Sequence, residues 1–217
     1  MIRRSMKLDD RCLLFFIKSP EKGKVKSRLA AVIGDELAVK LSKEFATQML
    51  STLQKGDFSF HVYFYPKGAL STLKEWLGDQ YPYIPQKGKN LGERMRNSFM
   101  EAFDMGFKRV VLIGSDIPDL PLEFIQEAFT SLDEKDAVIG PAYDGGYYLI
   151  GFRDKTFSTQ VFEGMAWGTK RVFGDTMKVL KNINHRVHTL KPLRDVDRIE
   201  DLKHLGIEIS LNLSSNK

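Results

Sequence analysis

Residues 12–17, Cys-Leu-Leu-Phe-Phe-Ile, form an apolar run of strand length with no polar side chain on either face, and it breaks at once into Lys18-Ser19-Pro20-Glu21-Lys22-Gly23, which is turn chemistry. A strand that is apolar on both faces has to be covered on both faces, as in a parallel sheet between helix layers. An amphipathic stretch comes next at 35–54, where Leu37, Leu41, Phe45 and Met49 recur every four residues with Leu50 and Leu53 alongside. The same alternation continues down the chain. Strands are expected at 58–65, 109–113, 137–139, 147–152 and 187–190, and helices at 70–77, 91–103, 122–132, 169–180 and 199–205. The pattern predicts an α/β fold with a mostly parallel central sheet covered by helices. With 217 residues and neither repeat nor linker, residues 1–217 read as a single domain with its core at about 11–205 and a frayed tail at 214–217.

Composition narrows the function classes. The 33 Lys and Arg against 28 Asp and Glu leave a net charge of +5, and the pI is near 9.1. Both signs of charge are mixed along most of the chain, and no RNP, zinc-finger or basic-heptad pattern is present, so nucleic acid is not an expected partner. The single cysteine, Cys12, excludes an internal disulfide framework and suits a reducing cytoplasm, its apolar neighbours suggesting a buried thiol. No apolar stretch is long enough for a membrane span, and none reads as a signal-peptide core. The four histidines, His61, His185, His188 and His204, have no carboxylate or cysteine at metal-ligand spacing.

In a sheet of this kind ligands gather outside the carboxyl ends of the strands, which gives most weight to residues just after apolar runs. The segment 18–28 comes directly after the first run and concentrates Lys18, Lys22, Lys24, Lys26 and Arg28 around Gly23. Lys22, Lys26 and Arg28 are candidate phosphate ligands, Gly23 allows backbone approach, and the helix beyond it favours anions at its start. The segment is neither a P-loop nor a Gly-x-Gly-x-x-Gly turn, and a solvated lysine-rich surface explains the same residues. Gly114-Ser-Asp116-Ile-Pro118 comes after the run 110–113, and a carboxylate there is what Mg²⁺ needs, because that ion shares hard oxygen ligands with phosphates. Asp116 is the first candidate metal ligand; a cap on the turn before Pro118 is the alternative. In the segment 140–151, Asp144 beside Gly145 and Gly146 suits an acceptor hydroxyl or amine, or equally a hairpin turn. Asp195 and Asp197 offer a second carboxylate to a metal, or a cap for the short helix after them.

Taken in order, residues 16–29 (Phe-Ile-Lys-Ser-Pro-Glu-Lys-Gly-Lys-Val-Lys-Ser-Arg-Leu), Gln86 to Met95 with its Asn-Leu-Gly-Glu-Arg-Met, Gly114-Ser-Asp-Ile-Pro, 140–151, Trp167-Gly-Thr and Asp195-Val-Asp form a series along nearly the whole chain. This series resembles the radical-SAM/selenodomain-associated transferases, also described as arsenosugar-biosynthesis glycosyltransferase-like. It is more distantly similar to the 2-phospholactate and molybdenum-cofactor guanylyltransferases. The resemblance implies a three-layer Rossmann-like GT-A (nucleotide-diphospho-sugar transferase) fold using a divalent metal, Mg²⁺ or Mn²⁺. It places Lys18, Lys26 and Arg28 on the nucleotide phosphates, Gly92 and Arg94 near the nucleotide, residues 144–147 toward the acceptor, and Asp116 with Asp197 on the metal. Ser27 stands where the family usually has Thr, and Gly168 where it usually has Ser or Thr.

The expected reaction is metal-assisted transfer from a nucleotide donor to a small-molecule acceptor: glycosyl transfer from an NDP-sugar, or nucleotidyl transfer from an NTP. Charge grows on a diphosphate oxygen in both, so Lys26, Arg28 and the metal would act by electrostatics and positioning, with Asp144 as the candidate base. The cation-rich segment 18–28 is closer to nucleotidyltransferase usage, since a triphosphate needs more cations than a diphosphate, while the family resemblance leans toward glycosyl transfer. A nucleotide-binding or regulatory module that has kept the fold without turnover is the alternative, and the residues leave the base, the acceptor and the oligomeric state open.

Overall fold

The computed structural model describes residues 10–205; residues 1–9 and 206–217, which include the tail expected to fray, lie outside the described residues. The first apolar run becomes β1 (Arg11–Lys18), buried from 12 to 17. Around it lie β2 (Ser59–Tyr65), β3 (Tyr83–Pro85), β4 (Arg109–Ile113), β5 (Ala137–Pro141), β6 (Tyr147–Arg153) and β7 (Val187–Thr189). They form one seven-stranded sheet in the order β3-β2-β1-β4-β6-β5-β7. β1 pairs parallel with β2, Leu13 opposite Phe60, and with β4, Phe15 opposite Ile113. β6 alone runs against the rest, antiparallel to both β4 and β5.

The helices are α1 (Ser27–Ile33), α2 (Asp35–Leu53), α3 (Leu70–Leu77), α4 (Leu91–Asp104), α5 (Leu122–Ser131), α6 (Val172–Asn182) and α7 (Ile199–His204). Period-two alternation along β1 divides the core between two faces. Leu13, Phe15 and Ile17 join Met49, Leu50 and Leu53 of α2 and Ile125 and Phe129 of α5. Cys12, Leu14 and Phe16 join Met95, Phe99 and Ala102 of α4 and Leu180 of α6. Burying one such side chain contributes roughly 2–3 kcal/mol, so β1, apolar on both faces, is stable only in the middle of three layers. A third, smaller core of Leu29, Leu41, Phe45, Val196 and Leu202 fastens α1, α2 and α7 to the segment around 196. That core brings the ends of the chain's basic and acidic motifs together.

Helix and strand periods account for most boundaries, and the exceptions have local causes. β3 is three residues long, too short to show a period, and α1 is a two-turn helix directly joined to α2 through Gly34, whose φ of 84° breaks the helix. β6 reverses because only residues 142–146 separate it from β5, too few for a crossover. α6 starts at Val172 rather than 169, because the residues before it form a loop that rests on the β5–β6 turn.

Candidate functional site

From β1 the chain moves to β2 on one side, while β4 lies on the other, so the loops leaving β1 and β4 part above the carboxyl edge of the sheet. Such a switch point leaves an open crevice. A cleft of about 410 Å³ lies there, lined by the ends of β1 (Lys18), β2 (Tyr65) and β4 (Gly114 to Asp116), the start of α4 (Leu91, Arg94), the β5–β6 connection (Asp144, Gly146) and the loop before α6 (Trp167 to Thr169).

The basic segment is largely neutralised within the protein. Lys22 Nζ lies 2.7 Å from Glu36 Oε1, and Lys24 Nζ lies 2.7 Å from Glu21 Oε2. Arg28 Nη1 meets Asp197 Oδ2 at 2.5 Å. Lys26 is the N-cap of α1 in a left-handed conformation, φ 45°, uncommon for a residue other than glycine. Its side chain is only 4% exposed; it donates to Asp116 Oδ1 and to the Val196 carbonyl, both at 2.8 Å, and its Nζ lies 5.1 Å from the Phe45 ring centroid. Together with the Val196 amide, which donates to the Asp116 carbonyl at 2.9 Å, Lys26 ties the first loop, the end of β4 and the Asp195-Val-Asp segment into one unit. Lys22, Gly23, Lys26, Arg28 and Gly92 do not line the cleft.

Two cations that line it have no carboxylate partner among the described residues. Lys18 Nζ donates to the Lys24 carbonyl at 2.5 Å. Arg94 lays its guanidinium 4.3 Å from the Tyr65 ring centroid, and its buried Nε makes no hydrogen bond. Beside them Gln86 spends its amide hydrogens on the carbonyls of Tyr63 (2.9 Å) and Ile17 (3.4 Å), which fixes the amide and leaves Oε1 as an acceptor at the cleft. Gln86 opens the motif 86–95 but has no role assigned to it there, and Tyr65 carries no motif signal, because both roles depend on strands β1, β2 and β3 ending side by side.

The opposite side is acidic. Asp144 Oδ1 accepts from the Gly146 amide at 2.8 Å, so the turn aims this carboxylate. Burial, then the nearby charges of Asp144, Asp116 and Asp197, push the Asp195 carboxyl up to about 6. Asp195 thus feels the charges of Asp144, Asp116 and Asp197, while Asp197 itself lies on Arg28 and its amide donates to Asp201. Alternate carboxylates in an Asp-x-Asp segment did not distinguish the two in the sequence.

Two glycines seat the remaining wall. A Cβ on Gly92 would fall 2.6 Å from Trp167 Nε1 and 2.7 Å from the Phe162 carbonyl; one on Gly145, at φ 92°, would fall 2.2 Å from the Lys170 carbonyl. The loop 163–171 therefore lies directly on α4 and on the β5–β6 turn. Trp167 stands edge-on to Tyr147, centroids 6.4 Å apart, and burial pushes the Tyr147 phenol well above its ordinary range.

This architecture, a seven-stranded mixed sheet with a cleft over its switch point, is that of the nucleotidyltransferase and GT-A class of folds. The chain belongs to the family described as uncharacterized protein conserved in bacteria (DUF2064), whose profile matches residues 45–169. It is 42% identical to a candidate nucleotide-diphospho-sugar transferase from Desulfovibrio desulfuricans G20, over 96% of this chain and 90% of that one, with a TM-score of 0.88. The fold alone is shared with CMP:2-keto-3-deoxy-manno-octonic acid synthetase complexed with CTP (7% identity, 90% and 96% of the chains, TM-score 0.57). It is shared as well with the manganese complex of Rv0371c from Mycobacterium tuberculosis H37Rv (13%, 90% and 97%, TM-score 0.55). No curated protein sequence matches the chain. No helix among the described residues is long and apolar enough to cross a membrane.

Proposed function

We propose that this protein is a metal-dependent transferase that moves a glycosyl group from an NDP-sugar to a small-molecule acceptor. The observation that carries this reading is the polarity of the cleft: Lys18 and Arg94, without carboxylate partners among the described residues, line it together with Asp116 and Asp144. Asp116 is paired with Lys26, whereas Lys18, Arg94 and Asp144 have no partner of opposite charge among the described residues; such charges in a cleft are costly for the protein alone and are relieved by a ligand that carries both signs, here a diphosphate with its cation. The narrower kinship suggested by the ordered motifs, with the radical-SAM/selenodomain-associated transferases, belongs to this same reading. So does the 42% identical candidate nucleotide-diphospho-sugar transferase.

Nucleotidyl transfer from an NTP is the neighbouring reaction on such folds. Ion pairing of Lys22, Lys24, Lys26 and Arg28 leaves two cations at the cleft, which suits a diphosphate better than a triphosphate. Lys26 and Arg28 would then act on the site through Asp116 and Asp197, and Arg94 and Lys18 would hold the donor phosphates.

No group of three or more His, Cys, Asp or Glu residues poised for a metal occurs among the described residues. A pair of carboxylates suffices for Mg²⁺ or Mn²⁺ when phosphate and water oxygens complete the shell. Asp116 and Asp195, the latter raised in part by the Asp116 charge, would supply that pair, with Asp197 held on Arg28. A cation held there would neutralise charge growing on the leaving diphosphate. Arg94 and Lys18 would orient the diphosphate, and Asp144 would receive the acceptor proton.

Titration calorimetry with Mg²⁺ and UDP-glucose, GDP-mannose and the four NTPs tests this. The NDP-sugars should bind, and Arg94→Ala should weaken them at least tenfold. Unchanged affinity in Arg94→Ala would remove the donor from this cleft, and binding without transfer to any acceptor would leave a nucleotide-binding module.

A further inference from the structure

The cations that line the cleft, Lys18 at the end of β1 and Arg94, whose guanidinium lies over the Tyr65 ring at the end of β2, both stand on the β1–β2 side, with β4 between them and β6. The facing side is formed by Asp144, Tyr147, Trp167, Thr169 and Val172, and among the described residues it contains no cation. The basic residues nearest in sequence are directed elsewhere: Arg171 Nε lies 3.4 Å from Asp175, while Arg194 lies over the Tyr143 ring at 5.2 Å and 3.6 Å from Asp201. Lys170 does not line the cleft, its carbonyl resting against Gly145. An anionic group on this side would meet the Asp144 carboxylate and find no side-chain counter-charge among the described residues, the cation proposed on Asp116 and Asp195 being engaged by the donor diphosphate. Like charges held close together in a partly buried site repel strongly.

From this asymmetry we infer that the acceptor is an uncharged, hydroxyl-bearing molecule, and that molecules carrying phosphate or carboxylate are rejected. The inference rests on the transferase reading and deepens it. Asp144 is held by the Gly146 amide through one oxygen, Oδ1, leaving Oδ2 to accept from a hydroxyl. The edge-on pair Tyr147 and Trp167 supplies an apolar surface for the carbon skeleton of such a molecule. In the reaction the acceptor oxygen forms a bond to the anomeric carbon of the donor sugar. The bond from that carbon to the diphosphate oxygen breaks, its electron pair leaves with the NDP, and the hydroxyl proton passes to the Asp144 carboxylate.

Matched acceptors test the inference: glycerol, glycerol 3-phosphate and glycerate, and glucose, glucose 6-phosphate and gluconate, each with Mg²⁺ and UDP-glucose or GDP-mannose. The neutral member of each trio should be used with at least tenfold higher kcat/KM, and Asp144→Asn should narrow that preference at least fivefold. Equal or better use of the anionic members, or an unchanged preference in Asp144→Asn, overturns it. If no acceptor is turned over, saturation-transfer NMR on the donor-loaded protein ranks the same trios. Binding of neutral members supports the inference, and binding of the anionic members alone, or of none, overturns it. Donor binding in the same samples separates the two levels, because its loss refutes the transferase reading itself.

Discussion

The two edges of the sheet differ in how completely they pair their charges. At the amino edge the ionic groups form closed sets: Asp136 Oδ1 takes Arg153 at 2.6 Å, and Oδ2 takes the Arg186 side chain at 3.1 Å and its amide at 2.9 Å. Arg109 bridges Asp10 and Asp133, and Lys108 meets Asp154 at 2.9 Å. At the carboxyl edge, among the described residues, Lys18 and Arg94 have no carboxylate, and Asp144 and Asp195 have no cation. The carboxyl shifts diverge accordingly. Burial acts to raise Asp136, but hydrogen bonds from Arg186 and Arg153 outweigh it and hold the group well below the usual carboxylate range, whereas Asp195 rises to about 6. Saturated charges stabilise the fold, and opposed unsaturated charges mark where a ligand completes the set.

The comparison breaks most sharply if substitutions at the two edges have the same consequence. Asp195→Asn should lower transfer at least about a hundredfold, roughly 2.7 kcal/mol of barrier, while leaving the melting temperature equal or higher because a crowded charge is removed. A melting temperature lowered by several degrees would make Asp195 a structural residue. Asp136→Asn should do the reverse, costing about 2 kcal/mol by stranding two arginines while leaving UDP-glucose affinity unchanged; denaturant unfolding and calorimetry measure both. The smallest effect is acid lability. Because the folded carboxyl of Asp136 titrates below its unfolded value, its contribution is complete above about pH 4 and declines as the pH falls, by up to about 1.4 kcal/mol per pH unit. Unfolding free energy measured between pH 5 and 3 should show this slope, shallower in Asp136→Asn. An identical slope in the variant would place the acid-sensitive group elsewhere.

Much of the fold was legible because burial imposes a period. Residues 12–17 and 109–113 present nearly unbroken apolar runs, and the helix with Leu41, Phe45 and Met49 shows its stripe plainly. The reversal of β6, the short β3 and the two-turn α1 carry no such period. In the site, the placement of Asp116, Asp144 and Arg94 around one cleft reflects their positions beside strand ends and at the start of α4. The partners of Lys22, Lys26 and Arg28 were not legible, since Glu36, Asp116 and Asp197 reach them only after α2, β4 and the segment before α7 have packed.

Residue order by itself determines a three-layer frame and a set of charged groups at strand ends, because hydrophobic period and turn chemistry are local properties. Which of those charges neutralise one another is a matter of distances between segments far apart in the chain: Lys26 and Asp116 are separated by 90 positions, Arg28 and Asp197 by 169. Packing of the small core around Leu29, Phe45 and Val196 closes those distances. It leaves Lys18 and Arg94 as the uncompensated cations of the cleft, because Coulomb energy depends on where the chain ends up in space and not on how its charges are ordered.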